Sequence, residues 1–234
     1  MRPADALDFF PGGVPPGTIF EIHVRHLRKL VTSVKPLLAQ SSTAAEVCLI
    51  GLAAFFEAFC KDQFASIINI CPETLTRFVA KRKTVTVDVA DLLMLSSRGN
   101  FLGFPLAEKY DFGSAKEVNG LYNDLLDVTP FSRREVRIFA EFLSDRNLLV
   151  HHGGAYTFKH VARKVGRASV RAIPYWDSIE VTQPFFKHWA DFLEGLAKKM
   201  VVTSHEAVEA FIRSQNIHLD ETRARGLWYL QWYD

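Results

Sequence analysis

The chain has 234 residues, 48% of them hydrophobic and 23% charged, with a formal net charge of +2. That length can bury a sizeable core in one domain, or in one with extensions, and the composition excludes a disordered or low-complexity chain. A balance this close to neutral assigns no partner, so only the distribution of charge along the chain is informative.

The opening MRPADALDFFPGG has no signal-peptide pattern, and Glu57 and Lys61 interrupt the longest apolar run below the roughly 18 residues of a membrane span. Both features predict a cytoplasmic protein without a membrane partner. Cys48, Cys60 and Cys71 are odd in number and form no C-x-x-C pair. They read as reduced core residues, and metal binding is not indicated.

Residues 1–17, with FFPGGVPPG, read as an extended arm packing through Phe9 and Phe10. Thr18 is placed to cap a helix running to about Leu38, with Ile22, Leu27, Leu30, Val31 and Val34 among its apolar positions. His23 and His26 lie three apart on it, and no further ligands accompany them. Ser41-Ser42-Thr43 then opens the longest apolar helix, Ala44 to Ile70, which should be central because it is apolar around most of its circumference. Glu46, Glu57 and Lys61 share its narrow polar strip. Glu57 either pairs with Lys61 at i,i+4 on a solvated strip or meets a buried cation on a facing helix. Pro72 starts a shorter helix ending in Lys81-Arg82-Lys83, read as a solvated end. Thr84 to Asp91 alternates polar residues with Val, as in a short strand or a loop in which Asp88 caps a helix to Ser96. After a break at Ser97–Gly103, Gly113 to Leu126 reads as a helix with Leu121, Leu125 and Val128 inward.

The stretch Ser132 to Gly154, SRREVRIFAEFLSDRNLLVHHGG, predicts one helix with both ends marked. Ser132 and Glu135 have capping-box spacing, and Phe131 and Val136 sit where a hydrophobic staple forms. Gly153 and Gly154 supply φ > 0 at the far end. At about 100° per residue, Phe139, Phe142, Leu143, Leu149 and Val150 fall on one side, with Arg146 in their midst. A permanent cation there snorkels, meets a buried carboxylate such as Glu57, or lies at an interface where an anion binds. Asn147 and His151 share a face, and His151 lies in the last turn, at the negative end of the helix dipole.

The spelling Arg146-Asn147-Leu148-Leu149-Val150-His151 resembles the motif of the HEPN superfamily of small helical proteins. There an Arg, usually followed by a polar residue, precedes a His by four to six positions, late in an amphipathic helix. The resemblance covers roughly Ala44 to Met200 as an order of elements and only a few positions as letters. It departs from many relatives at His152, where they carry Asn. It implies a mostly α, antiparallel helical bundle with a short irregular or strand-containing insert. The chain then reads as a single domain over 1–234: an arm and helix over 1–40, a bundle core over 41–200 and a C-terminal helical extension over 201–234. It also implies a metal-independent endoribonuclease without cofactor, acting as a homodimer with a shared site. A defence or toxin setting, with an antitoxin or regulatory partner, goes with it. Arg146, Asn147 and His151 are then the catalytic candidates, with Glu57 and His152 as support.

From Arg146 to Trp176 there is no Asp or Glu. Lys159, Arg163, Lys164, Arg167 and Arg171 lie in that stretch, interleaved with Tyr156, Phe158, Tyr175 and Trp176. Cations beside aromatic rings suit a polyanion with bases to stack, which makes RNA the expected partner. Ser178 to Thr182 reads as extended, and Gln183-Pro184 starts a helix to Met200 that packs Phe185, Phe186, Trp189, Phe192, Leu193 and Leu196. His188 reads as a surface residue. Ser204 is placed to cap a further helix to about Ser214. The tail RGLWYLQWYD puts Trp228 and Trp232 on one face, sealing a core or making a subunit contact.

RNA brings its own nucleophile, the 2′-hydroxyl, so a nuclease built on these residues needs a proton-transfer group and a cation. His151 fits the first role and Arg146 the second. Five positions apart on a helix, they point about 140° apart and converge poorly within one chain. Two such helices across a two-fold axis would bring both sets into one cleft. The competing reading is a non-catalytic helical RNA-binding or regulatory module, and a third uses the Trp-rich tail for protein contacts.

Overall fold

A computed structural model describes residues 5–34, 42–82, 85–86, 101–165 and 177–232, with no account of the side chains of 162–165. The segment Asp88–Ser96, together with Arg167 and Arg171, lies outside the described residues. What is described is mostly helical. The helices are α1 (Pro16–Ser33), α2 (Thr43–Ile70), α3 (Leu75–Lys81), α4 (Gly103–Ala107), α5 (Ala115–Leu126), α6 (Arg133–His152), α7 (Phe158–Val165), α8 (Gln183–Ser214) and α9 (Glu221–Tyr229). Among the described residues the β structure is limited to an antiparallel bridge between Ala155 and Ser178.

The chain divides into two compact units: Met1–Ile22 with Phe56–Ser132 and Glu194–Asp234, and His23–Phe55 with Arg133–Leu193. The bounds fall within α1, α2 and α8, so each unit takes part of those helices. They do not coincide with the divisions at 40 and 200 expected from the sequence.

The first unit is built on aromatic rings. Phe64 is fully buried on α2, with Phe78 at 5.7 Å, Phe112 at 5.6 Å and Tyr122 at 5.9 Å between ring centroids. Edge-to-face packing of this kind adds to the burial of ring area. From Gln63 to Ile70 every residue of α2 is buried, and several buried polar groups of this unit are closed by partners. Asn69 donates to the Phe9 carbonyl at 3.2 Å and accepts from the Gly103 amide at 2.7 Å. The Tyr122 hydroxyl donates to the Cys60 carbonyl at 3.1 Å. The arm packs as expected, with Phe9 and Phe10 buried, and Gly226 on α9 admits Phe9 so closely that a Cβ there would lie 2.5 Å from the ring. The three cysteines are free and buried.

Several local expectations change. Thr18 lies inside α1, which starts at Pro16, a residue suited to the first helical turn. Ser204 does not start a helix, because α8 runs unbroken from Gln183 to Ser214. Its buried hydroxyl donates to the Met200 carbonyl at 2.6 Å and accepts from Gln63 at 3.1 Å. This back-bonding is how a serine is accommodated mid-helix. In the basic run after Pro72, Lys81 and Arg82 are docked rather than merely solvated. Arg82 binds Asp124 at 2.7 Å, and Lys81 donates to the Asn123 carbonyl at 2.7 Å and pairs with Asp127. By length and composition α2 is apolar enough to cross a membrane, contrary to the expectation from Glu57 and Lys61, but its burial is that of a core helix. Trp228 is 54% exposed, whereas Trp232 covers Gly17, so the two rings have different roles.

The second unit gathers the other part of α2 with α6 and the start of α8, three helices expected to share a core. Phe142 on α6 meets Trp189 on α8 at 5.2 Å. The Ser42 hydroxyl accepts from the Ala45 amide at 3.3 Å and so caps α2, while the Ser42 amide donates to the Val181 carbonyl at 3.2 Å. Gln183 donates to the Val31 carbonyl at 3.0 Å, and Arg28 pairs with Asp191 at 2.7 Å.

Candidate functional site

The far end of α6 is fixed by its glycines. Gly153 and Gly154 have φ of 56° and 86°, values that favour glycine. The turn they make lets the Gly154 amide donate to the Leu148 carbonyl at 3.0 Å. The chain is then held by Tyr156 donating to the Asp177 carbonyl at 3.0 Å and Ile179 donating to the Gly154 carbonyl at 2.9 Å. Thr157 opens α7, its hydroxyl accepting from the His160 amide at 3.3 Å. The insert expected to be irregular therefore contains a helix, folded back beside α6.

Between α6 and α7 lies a cleft of about 450 Å³. Its lining includes Ser144, Asn147, Leu148, His151 and His152 from α6, and Thr157, Lys159 and His160 beside them. Seven positions span close to two turns, so Ser144 and His151 point within about 20° of each other, with Asn147 on the same side. Among the described residues no carboxylate lines the cleft, whereas two exposed histidines and an exposed lysine do.

The buried face of α6 differs from the expected one. Phe139, Phe142, Asp145 and Leu148 are its buried residues, while Val150 is exposed. The charge in the middle of the apolar side is Asp145, at 1% exposure, one position before the expected Arg146. Arg146 is half-buried and does not line the cleft. Its Nε is buried without a hydrogen-bond partner, and its Nη1 donates to Asn147 Oδ1 at 3.1 Å.

Asp145 faces a second residue that the sequence did not single out. His160 on α7 is 4% exposed, with its Nε2 3.8 Å from Asp145 Oδ1 and its Nδ1 3.1 Å from Ser144 Oγ. The Tyr156 ring stacks on the imidazole at 5.3 Å and 15°. Burial pushes the Tyr156 phenol up, and the Asp177, Asp145 and Glu180 carboxylates add to that. The available signal for this group was Thr157, a capping residue three positions before His160, which with Val161 forms the buried pair of a short amphipathic helix.

The structure thus brings Asn147, His151, His152 and Lys159 to one cleft and leaves Arg146 beside it. Glu57 is half-buried in the first unit, with its Oε2 3.7 Å from where a Cβ of Gly113 would stand, whereas Arg146 belongs to the second. Arg163 and Lys164 have backbone positions in α7. Among the described residues no three His, Cys, Asp or Glu side chains converge as a metal-binding set. No protein-family model, no curated protein and no solved structure matches the chain.

Proposed function

We propose that the protein is an endoribonuclease of the HEPN type, cleaving RNA without a metal by attack of the 2′-hydroxyl on the adjacent phosphate. The observation that carries this reading is the cleft, where His151, His152 and Lys159 meet hydroxyl and amide groups, with no carboxylate among the described lining residues. Such a lining attracts a phosphodiester and repels nothing on it. His151 moves the proton, Asn147 orients His151 or the phosphate, and the basic stretch from Lys159 to Arg171 holds the RNA by its backbone. Arg146 stabilises the charge on phosphorus from a second copy of the chain, since it does not line the cleft of its own. The homodimer with a composite site, the cytoplasmic location and the defence or toxin setting belong to the same proposal.

One observation favours a second reading, a non-catalytic RNA-binding or regulatory module. Arg146 is already engaged by its neighbour Asn147, which is an arrangement a purely structural motif would keep. The deciding experiment is an RNA cleavage assay with EDTA present, run on the parent and on His151→Ala. The nuclease reading expects cutting that survives EDTA, products ending in a 2′,3′-cyclic phosphate, and loss of cutting in the variant with binding nearly intact. If the variant cuts as fast as the parent, His151 is not the catalyst. If neither cuts and both bind, the module reading replaces the nuclease.

A further inference from the structure

A transesterification at an RNA phosphate needs two proton transfers, one off the 2′-hydroxyl and one onto the departing 5′-oxygen. His151 supplies one. The cleft holds a second titratable group, reached through a hydroxyl. Ser144 lines the cleft on the same side of α6 as His151, and beside it in the lining stands the largely buried His160, with Nδ1 3.1 Å from Ser144 Oγ. When the serine hydroxyl donates to Nδ1, the ring proton sits on Nε2 and faces Asp145 at 3.8 Å. That separation is longer than a hydrogen bond, so Asp145 acts through its charge, which in a buried setting is weakly screened. An imidazolium at His160 would therefore form opposite a carboxylate, while the serine oxygen keeps its lone pairs directed to the cleft.

We propose that Ser144, backed by His160 and Asp145, receives the ribose 2′-hydroxyl and is the base side of the reaction. This rests on the nuclease reading and names the part of the substrate that the site recognises: a ribonucleotide, in preference to a deoxyribonucleotide. As O2′ bonds to phosphorus, its proton passes to Ser144 Oγ and the serine's own proton passes to His160 Nδ1. The P–O5′ bond breaks, and the departing oxygen takes a proton from His151. Both imidazoles return to their starting states by exchange with water. Among the described residues, the charged and titratable groups around His160 include Asp145 on α6, Tyr156 and Lys159 on its own side, Asp177 and Glu180 near Tyr156, and His151 and His152 in the cleft. Ser144 is the residue that touches substrate, and Asp145 is a positioning residue.

The test separates recognition from cutting. Cytidine 3′-monophosphate and its 2′-deoxy counterpart are titrated into the full chain, with binding read by calorimetry and by the histidine ring signals in NMR. One hydrogen bond to the 2′-hydroxyl predicts about a five-fold preference for the ribonucleotide, with a response at His160 for that ligand alone. Ser144→Ala, a small change that leaves the buried pair in place, should erase the preference. His160→Asn keeps a hydrogen-bonding group beside Ser144 but cannot take the proton. It should preserve the preference and lower RNA cleavage about 100-fold, whereas a merely structural role would be rescued. Equal affinity for the two nucleotides, no binding of either, or a preference that survives Ser144→Ala overturns the proposal. A parent that cuts RNA without the preference loses the relay and keeps the nuclease. A parent that shows the preference without cutting loses the nuclease and keeps Ser144 as a ribose site.

Discussion

In the unit containing Phe56–Ser132, several buried polar groups end on main chain. Asn69 ties Phe9 to Gly103, the Tyr122 hydroxyl holds the Cys60 carbonyl, and the Thr74 hydroxyl holds the Cys71 carbonyl at 2.7 Å. In the unit containing Arg133–Leu193, the buried His160 meets through Nδ1 a serine that opens to a cleft, and its Nε2 stands 3.8 Å from the buried Asp145 Oδ1, beyond a hydrogen bond. The difference lies in the groups that face them. Main-chain partners have fixed charge, so the first unit is set up as scaffold. The second places a titratable ring beside a carboxylate and a hydroxyl that faces a cleft, which is the arrangement on which the proposed chemistry rests.

Breaking the scaffold side should give the largest effect. Phe64 is fully buried among Phe78, Phe112 and Tyr122, and Phe64→Ala leaves a ring-sized cavity, for which about 4 kcal/mol is expected. Chemical denaturation should show the midpoint falling with an unchanged slope, and the protein that remains folded should bind RNA as the parent does. A comparable loss of RNA binding in that fraction would show that the scaffold and the cleft are not separable in this way.

On the chemical side, His151→Ala should lower cleavage about 100-fold or more, equivalent to about 3 kcal/mol of transition-state stabilisation. The exposed position of His151 implies a change in folding stability within about 0.5 kcal/mol. Thermal unfolding and single-turnover kinetics on the same preparation test both halves. A variant that loses its fold along with its activity would place His151 among the structural residues.

How far the comparison could be read from the sequence differs between the two units. The ends of α6 were legible, because glycines at 153 and 154 leave little choice of where a helix stops. The burial of Phe9 and Phe10 and the three core cysteines were legible as well. The charge on the buried face was misplaced by one residue. Adjacent positions differ by about 100°, and apolar residues flank both Asp145 and Arg146, so the pattern alone does not fix the rotation of the helix. Packing fixes it, through Phe139, Phe142 and Leu148. The helix α7 was hidden inside a stretch expected to be irregular or strand-containing, and with it His160. Ser204 misled for a related reason, since a serine serves at a cap and, back-bonded, within a helix.

Lys159 sharpens the cleft side with a smaller effect. It is exposed and lines the cleft, so Lys159→Gln should weaken RNA binding a few-fold, about evenly across sequences. The slope of log affinity against log salt should shrink by about 0.7 if one single-strand phosphate contact is lost. An unchanged slope would mean that Lys159 does not meet a phosphate.

The smallest effect belongs to the scaffold side and is read by acid. Arg223 on α9 donates to the Ile70 carbonyl at 2.7 Å and pairs with Glu73 at 2.5 Å. Burial pushes the Glu73 carboxyl up, but the hydrogen bond and charge of Arg223 outweigh it and leave the group below its ordinary value. A carboxylate held low in the folded state contributes stability above its unfolded value, near pH 4.3, and that contribution is lost as the pH falls through the lower folded value. Glu73 is more than a third exposed, so solvent screening limits the gain to under about 1 kcal/mol. Glu73→Gln should therefore lower stability by less than that at pH 7, and the gap from the parent should close between pH 4 and pH 2. A gap that stays constant to pH 2 would mean that the loss does not come from the carboxylate's charge, and no gap at pH 7 would mean that Arg223 holds α9 through the Ile70 carbonyl alone.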